Sequence, residues 1–316
     1  MARAYGIRSQ LAVVFETTYG TPPSGNWYRM PFYSSTLSAE QPLIENRLLG
    51  YGRAPLQPVQ DMVSVDGEIV VPVELNSFGL WLRAFFGTMT VTGTGPYTHT
   101  VTFPRWDIPS LSVEIGTPEV PRYFVYSGCR VESLRWQMQT SGLLQATVKL
   151  VGHGETQSSS SSAGSPTPPG NVSTQLQAGH FHGAIRRADN LLGNIVSADI
   201  TFSNNLSVVK TIRNDAKIDG ADPTILTCTG QIVARFADTT LLQDAVNNTA
   251  ANMIFGYDLP GATAWTCKLY NAFLQRPRLE IQGPDGIQVT FPFQASSVAP
   301  GDVLGYSILT NDVSAY

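Results

Sequence analysis

Side chains able to do chemistry are few in this chain and poorly grouped. His180 and His182 stand two apart, a spacing that puts both imidazoles on one strand face. No cysteine or carboxylate pattern completes the three or four ligands a metal needs, so they read as solvated or structural histidines. Gly93-Thr94-Gly95 lacks the third glycine and the following helix of a phosphate loop. Cys129, Cys228 and Cys267 have no histidine near them in sequence, and Cys129 and Cys228 fall in predicted strands, where burial is a cysteine's usual fate. With four histidines and no Gly-x-Ser-x-Gly elbow, a hydrolase triad has little to rest on. No catalytic residue, metal or cofactor is expected, and the chain reads as structural.

The elements that carry these residues sit in 316 residues, roughly two domains' worth of chain. Charged residues make up 14%, against about 25% in ordinary globular chains. A net charge of -4 gives no cationic footprint for gripping nucleic acid. No apolar run approaches the ~20 residues of a membrane-spanning helix, and the N-terminus lacks the apolar core of a signal peptide, so cytosolic synthesis is the expectation. Three scattered cysteines form no disulfide framework. Gly, Pro, Ser, Thr, Asn and Gln replace the missing charge. That suits a surface covered by other protein, where each long charged side chain costs desolvation and rotamer entropy.

Gln157 to Asn171 reads as a Ser run followed by three prolines, without apolar periodicity. It predicts a flexible linker, 157–171, between halves 1–156 and 172–316. The flanks read mostly as strand. Val63, Val65, Ile69, Val71 and Val73 alternate with Ser64, Asp66, Glu68 and Glu74. Leu134, Trp136 and Met138 on one side of Ser141-Gly142, and Leu144, Ala146, Val148 and Leu150 on the other, predict a hairpin. A second is predicted around Pro284-Asp285-Gly286, with Leu279 and Ile281 alternating with Glu280 and Gln282, and Ile287, Val289, Phe291 and Phe293 on the return. Two short helices are predicted. One is capped by Asn76 or Ser77 and stopped at Gly87; the other is capped by Asp238, with Leu241, Leu242 and Val246 inward.

The halves present the same features in the same order. Leu37-Ser38-Ala39-Glu40 answers Val196-Ser197-Ala198-Asp199, and Asp66-Gly67-Glu68-Ile69-Val70 answers Thr229-Gly230-Gln231-Ile232-Val233. A short helix and a hairpin follow in each, after the second half loses a stretch before its hairpin. Tandem duplication is expected. In each half a polar, irregular stretch of roughly twenty residues precedes the glycine strand, a length that usually marks a functional loop. Asn46, Arg47 and Arg53 in the first, and Lys210, Arg213 and Lys217 in the second, give both a mildly basic character.

Glu16-Thr17-Thr18-Tyr19-Gly20-Thr21-Pro22-Pro23, then a strand, a long loop, the Gly-Glu-Ile-Val strand, a short helix and a closing hairpin, resembles the tail tube (major tail) proteins of long-tailed bacteriophages. It looks most like those whose chain holds two tube domains. The resemblance implies a mainly β protein of two tandem β-sandwich or partial-barrel domains, each with a short flanking helix. It implies trimeric pseudo-hexameric rings stacked into a tube, and tape measure, tail terminator and distal tail proteins as partners. DNA would pass through without specific binding and no membrane would be engaged; assembly would occur in the host cytoplasm. Asp66, Glu68, Glu74, Gln137, Glu280 and Gln282 are then expected to line the lumen, with the chain's small acidic excess concentrated there. The basic loop residues are expected at ring-to-ring contacts. The competing reading is a carbohydrate-binding or decoration β-sandwich of a virion or cell surface, in which Trp27, Trp81, Trp106, Trp136 and Trp265 supply sugar platforms. Against it, Trp136 and Trp81 fall on predicted core faces.

Overall fold

A computed structural model describes residues 3–170, 175–176, 183–259, 262–280, 283 and 286–316. The histidine pair His180 and His182, the turn residues Pro284 and Asp285, and the strand residues Ile281 and Gln282 lie outside them. Mainly β structure is found, in large antiparallel sheets without a closed barrel. In chain order the first strands are β1 (Gln10–Phe15), β2 (Tyr28–Arg29), β3 (Ser34–Ser35), β4 (Ser38–Glu40), β5 (Leu43–Ile44), β6 (Val59–Gln60) and β7 (Ser64–Pro72). Helix α1 (Leu75–Phe86) follows, then β8 (Thr90–Thr92), β9 (Tyr97–Phe103), β10 (Leu111–Thr117), β11 (Arg122–Met138), β12 (Gln145–Gly152) and β13 (Gly154–Ser158). The second series is β14 (Gly183–Arg187), β15 (Asn190–Leu191), β16 (Ile195–Ser203), β17 (Ser207–Val209), β18 (Gly220–Asp222) and β19 (Thr227–Arg235), then α2 (Thr240–Asn247). It closes with β20 (Ala251–Leu259), β21 (Ala262–Leu274), β22 (Gln288–Ser296) and β23 (Gly305–Asn311).

One wide antiparallel sheet runs through both halves. β3 and β4 pair with β7, β7 with β12, β12 with β11, β11 with β16, β16 with β19, β19 with β22, and β22 with the end of β21. The period-two pattern of each strand turns its apolar residues to one face, which the remaining strands cover. Over the first half these are β2, β1, β10, the start of β11, and β13. Over the second they are β14, β20, the start of β21, β23, β9 and β8. The long strands β11 and β21 belong to both layers.

A single hydrophobic cluster spans the halves. At its centre Trp136 lies 4.9 Å from Trp265 and stacks on Phe202 at 5.8 Å, and Phe86 stacks on Phe103 at 4.4 Å. Each such pair contributes about 0.5–1.5 kcal/mol beyond its burial. Trp27, Trp81, Trp136 and Trp265 are all buried, leaving Trp106 exposed. Almost all of α1 is buried, because Phe78, Leu82 and Phe85 and the face around Leu80 and Trp81 are both covered. Its cap is Glu74, whose carboxylate accepts the Asn76 and Ser77 amides at 3.1 and 2.8 Å, so the predicted Asn76 or Ser77 cap falls too late in the chain. A carboxylate there satisfies orphan donors and meets the positive helix end. Gly87 stops the helix as predicted, at φ 96°. In α2, Asp238 Oδ1 accepts the Thr240 amide, Leu241 is buried, and Val246 is exposed instead of inward. The inward position is taken by Asp244, which accepts Arg187 at 2.5 and 2.6 Å.

The Ser/Pro segment is bound down, against the expectation of a free linker. β13 runs through Ser158, and the Ser161 hydroxyl and the Ser162 amide donate to the Glu114 carboxylate, both at 2.6 Å. Glu114 is buried and needs donors, and the Ser run supplies them. Further on, the Arg29 amide donates to the Thr167 carbonyl at 2.9 Å.

Ladder register relates the two series. Ser35 pairs with Ile69 and Ala198 with Ile232, so one offset, 163 (198 minus 35), carries both partners across. The same offset carries the β5–β6 hairpin onto the region of the β17–β18 ladder, where Leu43↔Gln60 finds its analogue in Ser207↔Asp222 to within a residue. The four-residue likeness of Leu37–Glu40 to Val196–Asp199 is therefore displaced: the structural counterpart of Ala198 is Ser35, not Ala39. Gly67 and Gly230 hold equivalent places. A Cβ on Gly67 would stand 2.6 Å from the Thr36 carbonyl oxygen, and one on Gly230 would overlap that of Asp199, the residue 163 beyond Thr36. From β11 onward the offset is 143: Ile69↔Val148 becomes Ile232↔Phe291, and Val131↔Leu150 becomes Leu274↔Phe293. The lost stretch is the β8–β9 hairpin, present after α1 and missing between α2 and β20.

Candidate functional site

The outer face of the wide sheet is the largest feature the fold builds from the predicted site residues. Asp66 and Glu68 project from β7, Gln137 from β11, and all three are exposed. Glu74 is not with them, because it is buried as the cap of α1. Glu280 is exposed but follows the end of β21, outside any strand. Among the described residues the predicted strand through Leu279 does not form, and Leu279 is 52% exposed. Pro277 supplies no amide to a ladder there.

Neutral residues dominate the face. Gln145 on β12, Thr229 and Gln231 on β19, and Gln288, Thr290 and Gln294 on β22 are exposed. Its charges are interleaved: Lys149 stands opposite Glu68, and Arg135 forms an ion pair with Asp199. The hydrogen bond to Asp199 raises the Arg135 pKa further, and Glu68 adds to the field. Among the described residues, Glu40, Asp66, Glu68 and Asp199 are set against Arg135, Lys149 and Arg235. Charge on this face is thus in near balance on a polar ground.

The two long loops differ. β5–β6 is a two-pair ladder whose connection carries the half-buried Asn46 and the exposed Arg47 and Arg53. Arg47 pairs with Glu45. Around them Leu43, Ile44, Leu48, Leu49 and Tyr51 are exposed, Leu49 at 94%. In the β17–β18 hairpin Lys210 and Arg213 are exposed, but Arg213 is held by Asp215 at 2.9 Å and Asp219 at 2.6 Å. The Arg213 hydrogen bond holds the Asp215 carboxyl down at about 2. Lys217 is half-buried, its stem lying along Gly154 of the first half. Arg47 and Arg213 are thus neutralised in place by their own loops' carboxylates. The charged residues that single out these loops in the sequence are not their most telling ones. The density of Leu, Ile and Tyr in the first irregular stretch is the signal that charge obscures.

Glu16, opening the quoted motif, proves to be a structural node. Its Oε2 accepts the Gly20 amide at 2.8 Å and the Ser110 hydroxyl at 2.7 Å, and its Oε1 the Ser112 hydroxyl at 2.6 Å and the Gly128 amide at 2.8 Å. Charge-assisted bonds of this kind are the strong ones. Tyr19 lies against His153 with Arg130 over its ring, and burial pushes its phenol up to about 12. Burial likewise raises the thiols of Cys129, Cys228 and Cys267, which makes them poor nucleophiles. Among the described residues no group of three potential metal ligands gathers, and no helix is long and apolar enough to cross a membrane.

The fold and these surfaces define a β-sandwich structural protein with interlocked halves, a broad polar sheet face and an exposed apolar hairpin. A family model described as phage tail tube protein matches residues 6–295, and the chain belongs to that family. It is a structural component of the bacteriophage tail. No curated protein matches the chain.

Proposed function

We propose that the chain is a tandem duplication, that three copies close a pseudo-hexameric ring, and that stacked rings form the tube through which DNA is ejected. The observation that carries this reading is the wide sheet, to which each series gives four strand positions: β3/β4, β7, β12 and β11, then β16, β19, β22 and β21. Three copies supply 24 strand positions, which at about 4.8 Å each give a circumference of roughly 115 Å and a diameter of roughly 37 Å. A DNA duplex fits such a ring. The constant offset from Ser34 to Pro72 supports duplication of an ancestral domain, with copies in 1–156 and 172–316.

In this reading Asp66, Glu68 and Gln137 line the lumen with the neutral Gln and Thr of β19 and β22, while Glu280 borders it. A wall of this composition suits a conduit: each phosphate neutralised by Lys or Arg adds affinity and slows passage, and here Arg135 is paired and Lys149 opposed. The hairpin tips, with Asn46, Arg47, Arg53, Lys210 and Arg213, meet the next ring, whereas Lys217 stays at the hairpin base. The partners are further copies of the chain together with tape measure, tail terminator and distal tail proteins, and assembly takes place in the host cytoplasm. Size-exclusion chromatography with negative-stain microscopy tests the reading. Rings with the mass of three 34.2 kDa chains, or tubes built from them, are expected. A protein that stays monomeric at every concentration and never forms tubes contradicts it.

A further inference from the structure

We infer that neighbouring copies join by repeating the junction that unites the two halves of one chain. This rests on the ring reading above and assigns its contacts. Inside the chain the junction has two parts. Residues 133–138 of β11 pair antiparallel with residues 198–203 of β16, with Trp136 opposite Ile200 and Arg135 opposite Thr201. Beside them, the β17–β18 hairpin lies on the first half. The Val63 amide donates to the Ala216 carbonyl at 2.9 Å, Arg130 Nη1 to the Ala221 carbonyl at 2.6 Å, and His153 Nδ1 stands 2.6 Å from the Ile218 carbonyl. Ile218 and Ala221 are buried there.

Each of the two paired strands has a counterpart with no second strand beside it: residues 276–279 for β11, and residues 37–40 for β16. The offset of 143 carries 133–136 of β11 onto residues 276–279. No strand pairs with residues 276–279, and Leu279, the counterpart of the buried Trp136, is left 52% exposed. The offset of 163 carries 198–203 of β16 back onto 35–40, where β3 and β4 pair with β7 on one side only. An open edge next to an uncovered apolar side chain invites another strand. The β5–β6 hairpin, counterpart of β17–β18, leaves Leu43, Ile44 and Leu49 in solvent for want of a surface to lie on.

A second copy supplies both mates in one register. Residues 37–40 of one copy run antiparallel to 276–279 of the next, and the base of its β5–β6 hairpin lies along that copy's second half, leaving the tip to meet the next ring. Leu37 then covers Leu279, as Ile200 covers Trp136. Glu40 meets Arg276, a charge complement at an exposed position, and Ser38 meets Arg278, as Thr201 meets Arg135.

Engineered disulfides test the register. Arg278→Cys with Ser38→Cys probes the contact between copies, and Arg135→Cys with Thr201→Cys is its counterpart within a chain and calibrates the oxidation. Assembled protein carrying the first pair should run as covalent multimers ending at the trimer on non-reducing gels, and neither single variant should. Co-assembling the two single variants should give covalent dimers even if the double variant folds poorly. If the within-chain pair closes and micrographs show tubes, but the thiols introduced at positions 278 and 38 stay reduced in both formats, the junction is wrong while the ring reading stands. If unmodified protein forms neither rings nor tubes, the ring reading falls and the junction with it.

Discussion

Gly67 and Gly230 let the strand beside them approach so closely that any side chain would meet the backbone of Thr36 or Asp199. Replacing Gly230 by Ala should destabilise the folded chain by about 2–3 kcal/mol, since an overfilled contact forces the backbone apart. Thermal or denaturant unfolding measures this, and an unchanged midpoint would show that the two strands part easily. The glycine match is legible in sequence because each glycine interrupts a strand of alternating apolar residues at the same place. Its mate is not, since Leu37–Glu40 resembles Val196–Asp199 by chance and only the ladders reveal Ser35 as the counterpart of Ala198. Glu74 and Glu16 escape the sequence for a common reason. A carboxylate in or beside a strand looks solvated until the backbone amides that it accepts are in place, and those come from a helix start or from residues as distant as Gly128.

At the scale of elements, alternation locates β7, the β11–β12 hairpin and β22 correctly, and Gly87 marks the end of α1. Two elements go the other way. The Ser/Pro segment looks incapable of burial because it has no apolar period, yet its hydroxyl and amides satisfy the buried Glu114. Residues 275–280 after β21, which open an alternating pattern, stay outside the sheet, because a strand needs a partner as well as a pattern. The two long hairpins match in sequence by length and polar character. Their difference is physical: one has a surface of its own chain to lie on, and the other keeps its leucines in solvent. Trimming residues 44–56 should therefore leave a soluble, folded protein, since the segment contributes nothing to the core. It should also abolish long tubes in negative-stain micrographs. Tubes of normal length from the trimmed variant would remove the hairpin from assembly.

For the whole molecule, low charge, two-domain length and strand-rich sequence fit a chain whose surface is mostly destined to touch other copies of itself. The halves are joined more deeply than a linker implies: β16 inserts beside β11, β9 pairs with β23, and one core runs through both. In the proposed ring each copy would then act as one continuous segment. The proposed lumen wall is the face on which Glu68 opposes Lys149 and Arg135 holds Asp199 among glutamines and threonines, weakly charged where DNA would slide past. A helical reconstruction of assembled tubes by electron cryomicroscopy tests the central claim most directly. Three chains per ring are expected, with Asp66 and Glu68 of β7 and Gln231 of β19 facing the lumen. A map with those residues on the outer surface of the tube, or with six chains in each ring, would contradict it.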